Sequence, residues 1–156
     1  MMVREATVAD CHALFPLLRK CDRREIELAT GDSTVQVLLD SLESSEEAWV
    51  GIGDQGELLG IYGVARIGDM GGPWMLATPD VYRYSKELVR DGREWVKGIL
   101  PRYSMLFNFV HEDNTRSIAW LRKLGFTIGE LVPEYGAAKA PFYLFHQSPP
   151  CASQSP

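Results

Sequence analysis

Hydrophobic positions along this chain switch between alternating and helical spacing, with turn residues where the period changes, so its elements can be read in order. Val3 to Ala6 suits a strand, and Thr7 caps a helix with Val8, Cys11, Leu14, Phe15 and Leu18 on one face. Pro16 lies inside that pattern and predicts a kink or early stop. A polar segment closes at Leu28 to Gly31, and Ser33 opens a second helix with Val37, Leu38 and Leu42 inward. Ala48 to Gly53 and Leu58 to Arg66 are apolar runs joined by Asp54-Gln55-Gly56-Glu57, a hairpin signal. A glycine-dense loop, Gly68 to Pro73, then leads to a short strand at Trp74 to Ala77.

Thr78-Pro79-Asp80 supplies a cap, a preset first-turn dihedral and an acidic residue, so a long helix should run to about Leu100. Its inward stripe is Val81, Tyr84, Leu88, Trp95, Val96 and Ile99. Met105 to Val110 reads as a buried strand. The helix from Asn114 to Leu124 has both ends written in sequence: Asp113 or Asn114 caps it, Arg122 and Lys123 face the negative end of the dipole, and Gly125 ends it. A strand begins at Phe126, and the last runs about Phe142 to Phe145. The expected order is β-α-α-β-β-β-α-β-α-β-β, with a right-handed parallel crossover around the long helix. The domain is expected over 1–146, with residues 147–156 a disordered Ser/Pro tail.

Composition narrows the function. At 156 residues and 46% hydrophobic, the chain suits one domain with its own core. A net charge of −5, with 16 Lys and Arg in no dense block, argues against a nucleic-acid surface, so a phosphate-rich ligand would need a local positive pocket. Cys11, Cys21 and Cys151 are odd in number and lack metal-type spacing, which fits reduced thiols and no metal. No run of about 18 apolar residues occurs and no signal peptide is expected, so a membrane is not an expected partner.

The 114–126 unit, with Asn114, Ser117, Lys123, Gly125 and Phe126, resembles the late signature of the GNAT superfamily of acyl-CoA-dependent N-acyltransferases. The element order coincides with the GNAT order over residues 1 to 146. The resemblance implies a single α/β domain of mixed α+β character: a mixed central sheet of about seven strands, helices on both faces, and acyl-CoA in a gap between the fourth and fifth strands. Segments 19–27, 47–50, 71–78 and 108–126 are more narrowly similar to a GNAT-related group of tailed phages and prophages, some members of which are internal virion proteins. That similarity implies a phage or prophage origin, in the host cytoplasm or the virion.

The resemblance also sorts the candidate residues. Asn114 and Ser117, with Leu76, Ala77, Thr78 and Arg83, are the expected contacts to acetyl-CoA or another acyl-CoA. Asn114 serves equally as a helix cap. Glu112 and His111, at the carboxyl edge of the fifth strand, are the candidate bases, or simply loop residues. Arg19, Asp22 and Glu25, at threefold helical spacing, would hold a cationic acceptor or a protein partner, or form a solvated ion-pair face.

Two departures from the GNAT pattern stand out. The pyrophosphate loop normally carries glycines that let backbone N–H groups approach, but residues 75–84 hold none, Pro79 has no N–H and Asp80 is acidic. Leu121 stands where a tyrosine usually protonates the departing thiolate, and Tyr103, Tyr135 and Tyr143 are the alternatives. Two functions follow: acyl transfer from acyl-CoA to an amine, or a phage structural protein that kept the fold without the chemistry. The expected partners are acyl-CoA with an amine acceptor, or a phage protein; a homodimer is compatible with either.

Overall fold

A computed structural model describes residues 1–150. Five α-helices and seven strands follow one another as β1 (Met2–Glu5), α1 (Val8–Leu14), α2 (Lys20–Thr30), α3 (Gln36–Ser44), β2 (Ser45–Ile52), β3 (Leu58–Ile67), β4 (Met70–Ala77), α4 (Ser85–Ile99), β5 (Leu106–His111), α5 (Thr115–Lys123), β6 (Thr127–Tyr135) and β7 (Ala140–Gln147). The strands form one sheet in the order β1-β2-β3-β4-β5-β7-β6, antiparallel throughout except for the parallel β4–β5 pair.

Local chemistry accounts for most boundaries. Thr7 and Asp10 form a reciprocal capping box at the start of α1. Pro16 ends that helix, and Phe15–Leu17 tightens into a 3₁₀ turn. Val8, expected inward, is 57% exposed because it precedes the first buried turn. The polar segment forms a helix absent from the expected order: α2 buries only Asp22 and Ile26, so its periodicity in apolar residues is almost nil. Gly31 closes it at φ 73°.

The expected glycine loop at Gly68 to Pro73 is likewise mostly strand. Ile67 pairs with Met70, so the turn is only Gly68-Asp69, with Gly68 at φ 65°. A side chain at Gly71 would lie 2.9 Å from Leu106 and from the Tyr103 ring, so glycine is what allows β4 to reach β5 there. The long helix starts later than expected, since Pro79–Tyr84 is a 3₁₀ segment and α4 begins at Ser85. The last strand reaches Gln147, one residue past the expected domain boundary; the rest of the expected tail from Cys151 on lies outside the described residues.

The two larger apolar clusters cover the faces of the sheet. One joins Val96, Ile99, Leu106, Val110, Ile118, Leu121 and Phe145 under α4 and α5, and the other joins Cys11, Leu14, Ile26, Leu38, Val50 and Ile61 under α1, α2 and α3. Among the described residues no helix is long and apolar enough to cross a membrane.

Candidate functional site

β4 and β5 meet at one register pair only, Gly71 with Leu106, where the Gly71 N–H donates to the Met105 carbonyl at 2.9 Å. Beyond it the strands part. Asn108 Nδ2 reaches across to the Pro73 carbonyl at 2.9 Å, and past that bridge the facing edges carry no ladder. A cavity of about 300 Å³ occupies the opening and continues onto both faces of the sheet. Trp74, Phe109, Tyr135 and Ile26 line it on the α2 face; Leu88, Trp95, Trp120 and Leu121 line it under α4 and α5.

One edge of the opening belongs to β4. Ala77 points its N–H and C=O away from β3, donating to Asp22 Oδ2 and accepting from the Arg19 N–H, both at 2.9 Å. Strand alternation turns the N–H and C=O of Met75, two residues earlier, toward the same edge, and Met75 lines the cavity. A free strand edge is an obligatory donor and acceptor awaiting a partner.

Helix α2 spans the far end of the gap. Arg19 and Asp22 form a two-point ion pair at 2.8 and 3.0 Å with side chains 9% and 3% exposed, and they fasten the helix to β4. Burial works against the Arg19 charge, yet the Asp22 carboxylate holds its pKa above the ordinary value. One turn on, Glu25 fastens the helix to β5: its Oε1 accepts from the His111 N–H at 3.0 Å and from Asn114 Nδ2 at 2.8 Å. No protein group among the described residues bonds Glu25 Oε2, and the side chain lines the cavity. Burial pushes Glu25 up to about 7, although the Asn114 and His111 donors oppose it.

This geometry redistributes the expected roles. Of the acceptor candidates, Arg19 and Asp22 neutralise each other and hold the strand, while Glu25 alone presents a free charged atom to the cavity. The expected solvated ion-pair face is thus a buried one. His111 is buried with its ring edge-on to Phe142, and its Nδ1 faces the Asp113 N–H. Neither His111 nor Glu112 lines the cavity. Asn114 caps α5, accepting from the Ser117 N–H at 3.4 Å, while its amide holds Glu25, so the same side chain ends a helix and aims a carboxylate.

Among the expected cofactor contacts, Ser117 and Leu76 line the cavity, whereas Ala77, Thr78 and Arg83 do not. The Thr78 hydroxyl donates to the Leu58 carbonyl, and Arg83 is held by Glu57 at 2.8 Å and Asp80 at 3.2 Å. The start of the long helix therefore offers an incoming pyrophosphate little: the Thr78 N–H is bonded to Leu59, the Val81 N–H to Thr78, and Pro79 has none. The nucleotide end of a CoA would meet no such cradle after β4. Tyr82 covers that corner, with Arg116 4.3 Å from its ring centre and Arg19 5.5 Å away.

Of the tyrosines weighed as proton donors, Tyr103 donates to Glu46 away from the opening, Tyr143 packs beneath α5, and only Tyr135 lines the cavity. Tyr62, on β3 against Trp95, also lines it and was missed; burial, Asp91 and Glu47 push its hydroxyl up to about 12. Leu121 is buried and lines the cavity where a tyrosine was looked for.

No protein-family model matches the sequence, and no curated protein matches it either. Solved structures do. The chain is similar to a GCN5-related N-acetyltransferase from Kribbella flavida at 20% identity, covering 95% of this chain and 97% of that one with a TM-score of 0.68. It is similar to a phosphinothricin acetyltransferase from Sinorhizobium meliloti in complex with AcCoA at 13% identity, covering 99% and 92% with a TM-score of 0.69. It also resembles a spermidine N-acetyltransferase from Vibrio cholerae in complex with CoA and spermine at 13% identity, covering 94% of each chain with a TM-score of 0.67. These comparisons give the expected phage or prophage affinity no support. What they show is the architecture: a single mixed α/β domain with the GNAT fold.

Proposed function

We propose that the protein binds an acyl-CoA thioester in the β4–β5 opening and transfers the acyl group to an amine that enters from the α2 face. The observation that carries this reading is the free Oε2 of Glu25, a carboxylate poised at about 7, set in a cavity that crosses the sheet at its one parallel seam. A bound thioester supplies an electrophilic carbonyl and a thiolate leaving group. The Met75 N–H, on the unpaired edge, donates to that carbonyl oxygen as charge gathers on it. Glu25 Oε2 takes one proton from the bound ammonium, the nitrogen lone pair so freed forms the new C–N bond as the C–S bond breaks, and the second nitrogen proton passes to water. No side chain at Leu121 protonates the departing thiolate, which leaves to water.

Calorimetry with acetyl-CoA tests the binding half. A dissociation constant at or below about 100 μM, roughly −5.5 kcal/mol, supports a working site. Free-thiol release in the presence of an amine tests the transfer. The second reading, a fold kept for binding or structure without chemistry, is favoured by the missing phosphate cradle and by Leu121. Absence of heat and of any thermal shift at millimolar acetyl-CoA establishes that reading and removes the first.

A further inference from the structure

The α2 half of the cavity has a chemistry of its own, which bears on what the amine is. Of the charged side chains lining the cavity, Arg19 and Asp22 cancel, and Asp91 sits on α4 on the opposite face with Arg90 at 3.0 Å from it. Among the described residues that line the cavity, Glu25 is thus the one uncompensated charge on the α2 side. Around it stand flat apolar surfaces: Phe109 stacks on Tyr135 with ring centres 4.3 Å apart and planes at 25°, Tyr135 leans on Phe142 at 4.8 Å, and Trp74 lines the β4 side. The walls are fixed. The turn between β6 and β7 is bonded to the end of α2 through the Ala137 N–H to Ala29 and the Ala138 N–H to Leu28, both at 3.0 Å, and a side chain at Gly136 would lie 2.7 Å from Ala29. Thr30, exposed yet lining the cavity, marks the way out.

A single carboxylate set among aromatic faces recognises one ammonium by ion pairing and cation–π attraction, and rewards an apolar body attached to it. A second positive charge would find no unpaired anion among the described residues lining this half of the cavity and would be desolvated there without a partner. The whole cavity measures about 300 Å³, and both reactants share it, so the acceptor must be small.

We propose that the chamber of Glu25, Trp74, Phe109 and Tyr135 selects a small primary monoamine with a flat or branched apolar body, and discriminates against polyamines and peptide amines. This rests on the amine-acceptor reading above. The test is calorimetry of the full chain at pH 8 without any thioester, with 2-phenylethylamine and spermidine as probes. The expected result is phenylethylamine binding at least about tenfold tighter than spermidine, a loss of that binding in Glu25→Gln, and a weakening of at least about threefold in Phe109→Leu and Tyr135→Leu, which keep apolar bulk and remove the ring face. Spermidine binding as tightly as phenylethylamine overturns the proposal, as does no binding of either amine or unchanged affinity in both leucine variants. Phenylethylamine that binds as expected but releases no thiol from acetyl-CoA refutes the transfer reading and leaves the selectivity standing.

Discussion

Glu25 has one carboxylate oxygen bonded twice and the other free, and this asymmetry sets its behaviour with pH. Its folded pKa of about 7 lies above the ordinary 4.5, chiefly because burial penalises the charge. A raised carboxylate favours the folded state fully below pH 4.5, and that contribution is lost as pH rises through 7. Glu25→Gln stays neutral and keeps an oxygen for His111 and Asn114, so it should be more stable than the parent by roughly 3 kcal/mol at pH 8 and no more stable at pH 4. Urea unfolding at the two pH values measures this, and an equal difference at both would show that burial does not raise Glu25. If transfer occurs, kcat/KM should climb through pH 7 in the parent and stay flat and low in the variant. Asn114 keeps the cap inferred from sequence, its Oδ1 accepting from Ser117, while its Nδ2 is engaged by Glu25 and the residue does not itself line the cavity.

At the scale of elements, α2 is a crossbar between strands that do not pair. Arg19 and Asp22 grip Ala77 on β4, and Glu25 grips His111 on β5. Asp22→Ala should cost about 3–5 kcal/mol, because it leaves the buried Arg19 guanidinium without its counter-charge and the Ala77 N–H without an acceptor. Equilibrium denaturation reads the loss; a change below about 1 kcal/mol would mean that the crossbar is not fastened there. The same helix was hard to see in sequence because charged and small residues fill most of it, and its buried contacts are polar. The β3–β4 hairpin differs from the expected loop for a related reason: glycines that mark loops in most contexts here allow strands to crowd together, as Gly71 does beneath Leu106 and Tyr103.

Across the whole molecule, the opening exists because a sheet that is zipped elsewhere is released after one parallel pair. Filling it from the α5 side should separate the two halves of the site. Ser117→Trp, at a half-buried cavity-lining position, should lower affinity for acetyl-CoA at least about tenfold while leaving amine binding on the α2 face within about twofold. Calorimetry with each ligand alone decides it, and equal loss of both would make the cavity a single indivisible space. The amino-acid pattern by itself determined the order of most elements, the crossover and the capped α5 unit, because these depend on period and caps that act over a few residues. The tertiary structure alone decided that α2 exists as a crossbar, that Arg19 and Asp22 hold the fold while Glu25 faces the cavity, and that His111 and Glu112 do not line it. Those outcomes depend on which charge finds its partner across 55 to 89 residues of chain, as in Asp22 with Ala77 and Glu25 with Asn114, and local spacing carries no record of such distances.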